Sequence, residues 1–260
     1  MDLGLRGRRA LVTGGSKGIG LAVAEELAAE GVAVAICARH AGEVEAAAER
    51  LRAHGPTVHG QVADVTDPAQ VSDLVARTTE ALGGLDILVN NAGAAHPGNF
   101  ESLTDDDWKG DIDVKLFSQI RCTREALPHL RRSDAPRVIN INSVYARYPN
   151  PAFFATTVVR AACLNLTKAL AQELGPEGIL VNSVNIGFVL TPQWQNIKAR
   201  RAPHATDQEF FAGLVRDEVP LGRFGTVEEV SGLVAFLAGN RAGYLTGTSI
   251  DVAGGMGKYV

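Results

Sequence analysis

One stretch limits the architectures open to this chain more than any other. Thr13-Gly14-Gly15-Ser16-Lys17-Gly18-Ile19-Gly20 follows the apolar run Ala10-Leu11-Val12 and precedes helix formers from Leu21 to Glu30. Glycines at a strand–helix junction let the backbone enter φ values closed to other residues. They also bring main-chain N–H groups close to a bound anion, and the following helix points its N-terminus at that charge. A glycine turn alone also serves as a plain connection. The order strand, glycines, helix is the context in which it reads as a dinucleotide cradle.

The rest of the chain repeats that alternation. Arg8–Val12, Val32–Ala38, Val58–Val62 and Ile87–Asn90 are short, apolar and rich in β-branched residues, as parallel strands buried on both faces should be. Leu21–Glu30, Ala41–Arg52 and Pro68–Leu82 carry helical spacing between them. Further strands are expected over Arg137–Asn142, Ile179–Asn185 and Ser249–Val252, with long helices over Thr104–Leu130 and Pro151–Leu174 and a shorter one over Val227–Leu237. Thr226 and Glu229 have the spacing of a capping box at the start of that last helix. Alternation of this kind predicts an α/β fold: a doubly wound, parallel, seven-stranded sheet in a three-layer αβα arrangement of Rossmann type, in one domain spanning 1–260.

Composition narrows the function. The chain has 260 residues, 46% hydrophobic and 21% charged, with a net charge of −4, which gives no reason to expect a nucleic-acid partner. No apolar run approaches a membrane span, and Met1–Arg9 lacks the apolar core of a secretion signal, so the expected compartment is the cytoplasm. Cys37, Cys122 and Cys163 lack metal-ligand spacing and read as buried reduced thiols; no metal site is predicted.

At this point the chain resembles the short-chain dehydrogenase/reductases over nearly its whole length. The resemblance rests on Thr13-Gly14-x-x-x-Gly18-x-Gly20, Asp64 after the third strand, Asn90-Asn91-Ala92-Gly93 after the fourth, and Asn140-Ile141-Asn142-Ser143 at the fifth. Pro220-Leu221-Gly222-Arg223 and the stretch from Thr246-Gly247 to Gly254-Gly255 add to it. It implies that Gly14, Ser16, Lys17, Gly18, Ile19 and Gly20 hold a pyridine dinucleotide. Asp64 and Val65 would flank the adenine, and Asn91, Ala92 and Gly93 would line the adenosine ribose. Gly187 would permit close approach to the nicotinamide, although Ile186 replaces the family's usual proline, and Thr191 would contact the pyrophosphate or carboxamide. Charge suggests the subtype. Where an NAD site places a carboxylate, this chain has Ala38-Arg39-His40, and a guanidinium at 39 with Lys17 beside it suits a 2′-phosphate. NADP(H) is therefore the expected cofactor and NAD(H) the alternative, in which Arg39 and Lys17 are solvated surface charges.

The resemblance breaks at the reaction centre. The family carries Asn, Ser, Tyr and Lys, the last two as Tyr-x-x-x-Lys on one helix face. Aligned from Ser143 on one side and Ala161–Lys168 on the other, the tyrosine position is Thr156 and the lysine position Arg160. The asparagine, seven residues beyond the helix tryptophan Trp108, is Lys115. Only Ser143 survives. A threonine hydroxyl donates and accepts but is no acid near neutrality, and an arginine keeps its proton. Lys115 is thus the first candidate for the general acid, with a pKa depressed by burial beside Arg160. Tyr145 is the second, and Tyr148 and His96 are more distant ones.

Three activities fit these residues. The first is NADP(H)-dependent interconversion of a carbonyl and a secondary alcohol, with Ser143 and Thr156 on the substrate oxygen. The second is a non-redox isomerase- or lyase-like reaction on the same fold, and the third a catalytically silent NADP(H)-binding subunit. A lid over about residues 192–219 should meet the small-molecule substrate. Its Trp194, Phe210 and Phe211 favour an aromatic or apolar one, while Lys198, Arg200 and Arg201 would suit a carboxylate or phosphate or simply face solvent. By resemblance, Thr104–Leu130 and Pro151–Leu174 pair between copies, which implies a homodimer or homotetramer.

Overall fold

The computed structural model describes residues 2–55 and 57–257. Seven strands form one parallel sheet: β1 (Arg9–Thr13), β2 (Ala33–Ala38), β3 (Val58–Val62), β4 (Ile87–Asn90), β5 (Arg137–Ser143), β6 (Leu180–Ile186) and β7 (Ser249–Val252). Their spatial order is β3-β2-β1-β4-β5-β6-β7. The chain therefore reverses direction across the sheet between β1 and β4, and the crevice beyond the strand ends at that switch point is where ligands of such sheets bind. This is the doubly wound Rossmann architecture.

Strand residues alternate between two cores, as the two-residue period of a strand requires. Ala10, Val12, Val34, Ile36, Ile87 and Val89 face one layer, packed on Val23 and Leu27 of α1 (Gly18–Ala29) and on Val230, Val234 and Leu237 of α9 (Val227–Ala238). Leu11, Ala35, Cys37 and Leu88 face the other, against Val71, Leu74 and Val75 of α3 (Pro68–Leu82) and Ala126 and Leu130 of α5 (Ser118–Leu130). Each fully buried leucine or valine stabilises the fold by roughly 1.5–3 kcal/mol before entropy is counted. Local chemistry sets the helix ends. Asp67 caps α3 by accepting from the Ala69 and Gln70 N–H groups, Pro68 opens the first turn, and Gly83 ends the helix in the left-handed region at φ 74°. Glu229 accepts the Thr226 N–H at 2.8 Å at the start of α9, as the capping-box spacing predicts.

The remaining helices are α2 (Ala41–Arg52), α4 (Asp105–Ile112), α6 (Phe154–Leu174), α7 (Pro192–Arg201) and α8 (Asp207–Val215). Most strand and helix ends fall within a residue or two of the sequence expectation. The helix expected over Thr104–Leu130 is not uniform, however. It runs as α4, then a π turn over Asp113–Phe117, then α5. A π turn holds one residue more than an α turn and concentrates at functional sites. Lys115 lies in it. No described helix is long and apolar enough to cross a membrane.

Candidate active site

The glycine turn and the Asn91–Gly93 segment form one unit at the switch point. The Thr13 hydroxyl accepts the N–H groups of Asn91 (3.0 Å) and Ala92 (3.1 Å). The Asn91 side-chain amide donates back to the Thr13 and Gly14 carbonyls at 2.9 and 3.0 Å. Gly14 sits at φ 63°, and a Cβ on Gly20 would strike the Gly14 carbonyl and the Asn91 amide, so both positions require glycine. Around this unit lies a cavity of about 360 Å³. Every residue expected to hold the dinucleotide lines it: Gly14, Ser16, Lys17, Gly18, Ile19, Gly20 and Arg39 at one end, then Asp64 and Val65, Asn91 to Gly93, and Gly187 and Thr191.

The cavity suits a dinucleotide in one further respect. No side chain caps the start of α1, and its first turn holds no acidic residue, which leaves backbone N–H groups free for a pyrophosphate. At the end of the cavity expected to take the adenosine, Arg39 is exposed and makes no ion pair among the described residues. Lys17 is already engaged: its amine lies 2.9 Å from a Glu43 carboxylate oxygen, and the Ser16 hydroxyl donates to the other oxygen at 3.3 Å. The hydrogen bond from Lys17 holds the Glu43 carboxyl below its usual range. The sequence reading missed this counter-charge, although Glu43 stands on the first turn of the helix after Arg39.

At the other end of the cavity, Lys115, Ser143, Tyr145, Thr156 and Arg160 come together. Lys115 is wholly buried; its ammonium pairs with the Asp111 carboxylate and donates to the Thr156 hydroxyl at 3.1 Å. Burial first, and the Arg160 charge second, pull the Lys115 pKa down to about 8. Arg160 donates to the Ile141 carbonyl at 2.7 Å, and its pKa is lowered by burial. The Ser143 hydroxyl accepts the Tyr145 N–H at 3.2 Å. The Tyr145 phenol accepts from Asn150 at 3.1 Å, and burial pushes it up to about 12, away from proton exchange near neutrality. Asp111 was not among the residues singled out from sequence. Its only signal there is the four-residue spacing to Lys115, which places both on one helix face.

Aromatic rings wall the part of the cavity where a substrate is expected. Phe188 and Trp194 line the cavity, with centroids 5.2 Å apart, and Phe224 stacks on Phe188 at 5.3 Å. Phe211 reaches the same cluster through Phe224 at 4.9 Å, and Phe210 packs on Phe211 at 5.3 Å. The basic residues of the segment expected to form a lid lie elsewhere. Lys198 pairs with Asp207 at 2.6 Å, Arg200 donates to the Asn196 carbonyl at 3.2 Å, and the side chain of Arg201 lies outside the described residues. Neither Lys198 nor Arg200 lines the cavity. His96 sits 3.3 Å from Asp107, and Tyr148 packs beside Val144 and Val215; both lie off the cavity wall.

Comparison with known proteins agrees with this geometry. The family model described as enoyl-(acyl carrier protein) reductase matches residues 14–257. The short-chain reductase protein NovJ of Streptomyces niveus is 36% identical over 246 residues, covering 95% of this chain and 92% of that one. A short-chain oxidoreductase from Pseudomonas aeruginosa PAO1, described as containing an atypical catalytic center, superposes in its apo form with a TM-score of 0.93 at 37% identity over 100% of both chains. Its NADPH-bound form gives 0.90 at 38% identity, over 97% of this chain and 98% of that one. L-Sorbose reductase from Gluconobacter frateurii, complexed with NADPH and L-sorbose, gives 0.96 at 32% identity over 100% of both chains. With the glycine turn, the switch-point cavity and the sheet order all in place, the chain belongs to the short-chain dehydrogenase/reductase family of oxidoreductases.

Proposed function

We propose that this protein is an NADP(H)-dependent oxidoreductase that interconverts a ketone and a secondary alcohol on a small, largely apolar substrate, with Lys115 as general acid. The observation that carries the reading is the buried ammonium of Lys115 donating to the Thr156 hydroxyl on the wall of the cavity. The NADPH-bound relatives and the exposed Arg39 support the cofactor.

A bound nicotinamide nucleotide supplies a hydride for the carbonyl carbon. Every other part falls to the chain. Arg160 keeps a fixed positive charge beside the centre, where it would hold ribose hydroxyls. Ser143 and Thr156 present hydroxyls to the substrate oxygen. The Thr156 oxygen already accepts a hydrogen bond from Lys115, so its own proton is free to point at that oxygen. As negative charge grows on the oxygen, Thr156 hands over its proton and takes one from Lys115. The amine ends neutral and is recharged from solvent. An ammonium with pKa about 8 is still protonated at neutral pH yet gives up its proton readily, which is the match that general acids need. Tyr145 serves as pocket wall.

The aromatic wall formed by Phe188 and Trp194 favours an apolar or aromatic group on the carbonyl. Lys198, paired with Asp207, lends no support to an acidic substrate. We also infer a homodimer or homotetramer built on the α4–α5 and α6 faces, which leave Phe117 and Val158 exposed at 45% and 49%; light scattering tests it.

The test is NADPH consumption with a panel of aryl ketones, alkyl ketones and diketones, wild type beside Lys115→Met. The expected result is turnover by the wild type and a loss of roughly 10²–10⁴-fold in the variant. A variant that keeps most of its turnover would remove Lys115 from the chemistry. NADPH binding without turnover of any substrate would point to a silent cofactor-binding subunit instead.

A further inference from the structure

The residue that the oxidoreductase reading leaves unexplained is Asp111. It is 2% exposed and bonded to Lys115, yet it does not line the cavity, and its second oxygen is buried with no hydrogen-bond partner among the described residues. Sealing a carboxylate and an ammonium together costs solvation that their attraction only partly repays, and an apolar pair of the same size is often as stable or more so. An acceptor left open inside the protein adds to that cost. Stability therefore gives no reason for the pair to exist.

The neighbours of Lys115 supply a reason. On α6, across from it, stand Arg160, Cys163 and the Thr156 hydroxyl; on its own helix stands Asp111. Arg160 is a permanent cation, and Cys163 is a thiol whose pKa burial raises, so it is neutral. Among these groups Asp111 alone carries negative charge. Without it two cations would share one buried site, and Lys115 could shed its charge at little cost. Lys115, on the π turn, and Thr156 both line the cavity, whereas Asp111, one turn earlier, does not.

We propose, building on the ketoreductase reading above, that Asp111 is a positioning residue that holds the Lys115 amine on the Thr156 hydroxyl and keeps it charged between turnovers. It touches neither substrate nor cofactor. Its effect passes through Lys115: after each proton transfer the neutral amine sits beside Arg160, and the carboxylate makes recapture of a solvent proton favourable.

The test is the conservative variant Asp111→Asn in the full-length protein, read without any need for activity. Protein labelled with 13C at lysine Cε is titrated by NMR. In the wild type one buried lysine signal should titrate near pH 8, and in the variant its midpoint should move acidward by one unit or more, a tenfold or greater loss of proton affinity. The kcat/KM profile should lose its alkaline activity by the same shift. NADPH affinity, measured by calorimetry, should stay within about twofold, because the carboxylate lies off the cavity wall. A midpoint that does not move overturns the proposal, even where activity falls uniformly with pH. If Asp111→Asn fails to fold, Asp111→Asn with Lys115→Met decides. A folded double variant shows that the carboxylate answers the lysine charge, and an unfolded one shows a purely structural role. A wild type that binds no NADPH would refute the functional reading and leave the NMR outcome to judge Asp111 separately.

Discussion

Raising the pH should strengthen the fold through Lys115, against the usual direction for a lysine that has gained a carboxylate. In the unfolded chain its pKa is about 10.4, and in the fold it is about 8. Below pH 8 both states are protonated, and the native state bears the full cost of a buried ammonium. Between pH 8 and 10.4 the native amine has released its proton while the unfolded one has not. The unfolded state then binds more protons, so stability rises with pH. At 1.36 kcal/mol per unit the whole effect is about 3 kcal/mol, most of it gained by pH 10. The buried thiols act in the opposite sense. Burial pushes Cys37 up to about 12 and raises Cys122 and Cys163, so above pH 8.5 or so the unfolded chain loses thiol protons that the fold retains. A single melt against pH would therefore mix the two.

The clean observable is the difference between wild type and the double variant Lys115→Met, Asp111→Asn, which has the same thiols but no buried ion pair. Urea melts at pH 7, 8, 9 and 10 under reducing conditions should show the wild type gaining on the double variant across that range. The kcat/KM of reduction should fall over the same interval, since only the protonated amine donates. A difference that stays flat from pH 7 to pH 10, with an alkaline limb no lower than pH 10, would refute the account of Lys115 as a desolvated acid.

Other outcomes follow from the same geometry. Arg39→Asp should reverse the preference from NADPH to NADH, whereas Glu43→Gln, by freeing Lys17, should tighten NADPH by about tenfold and leave NADH unchanged; calorimetry with both nucleotides checks the pair. Gly20→Ala should cost about 2–4 kcal/mol by urea melt and abolish NADPH binding, because the added methyl displaces the Asn91 amide from the Thr13 and Gly14 carbonyls. Tyr145→Phe should keep kcat within about threefold, and a drop of about 10²-fold or more would return Tyr145 to the list of acids.

Much of the molecule could be read from local patterns. The unbroken apolar run of Ala33–Ala38 and the helical spacing of Pro68–Leu82 reflect forces acting within a few residues, so they survive in sequence as element type and extent. The glycine turn is legible for the same reason, since the need for glycine at 14 and 20 arises from the backbone at that turn and its contact with Asn91. Motif spacing also singled out positions 115, 156 and 160 without knowing what surrounds them, and the three line one cavity.

Charge pairing belonged to the tertiary structure. Lys17 and Lys198 look alike in sequence as free cations, yet Glu43 and Asp207 engage them, one beside the cofactor cavity and the other away from it. Asp111 carried no more signal than any acidic residue on a helix. Its weight comes from total burial, from the π turn that seats Lys115, and from Arg160 arriving on a helix far along the chain. Electrostatic energy depends on which charges meet and how much water is excluded between them, and those are properties of the packed fold. The chain's periodicity determined where a dinucleotide could lie; only the closing of α6 against the π turn decided how acidic the amine beside it would be.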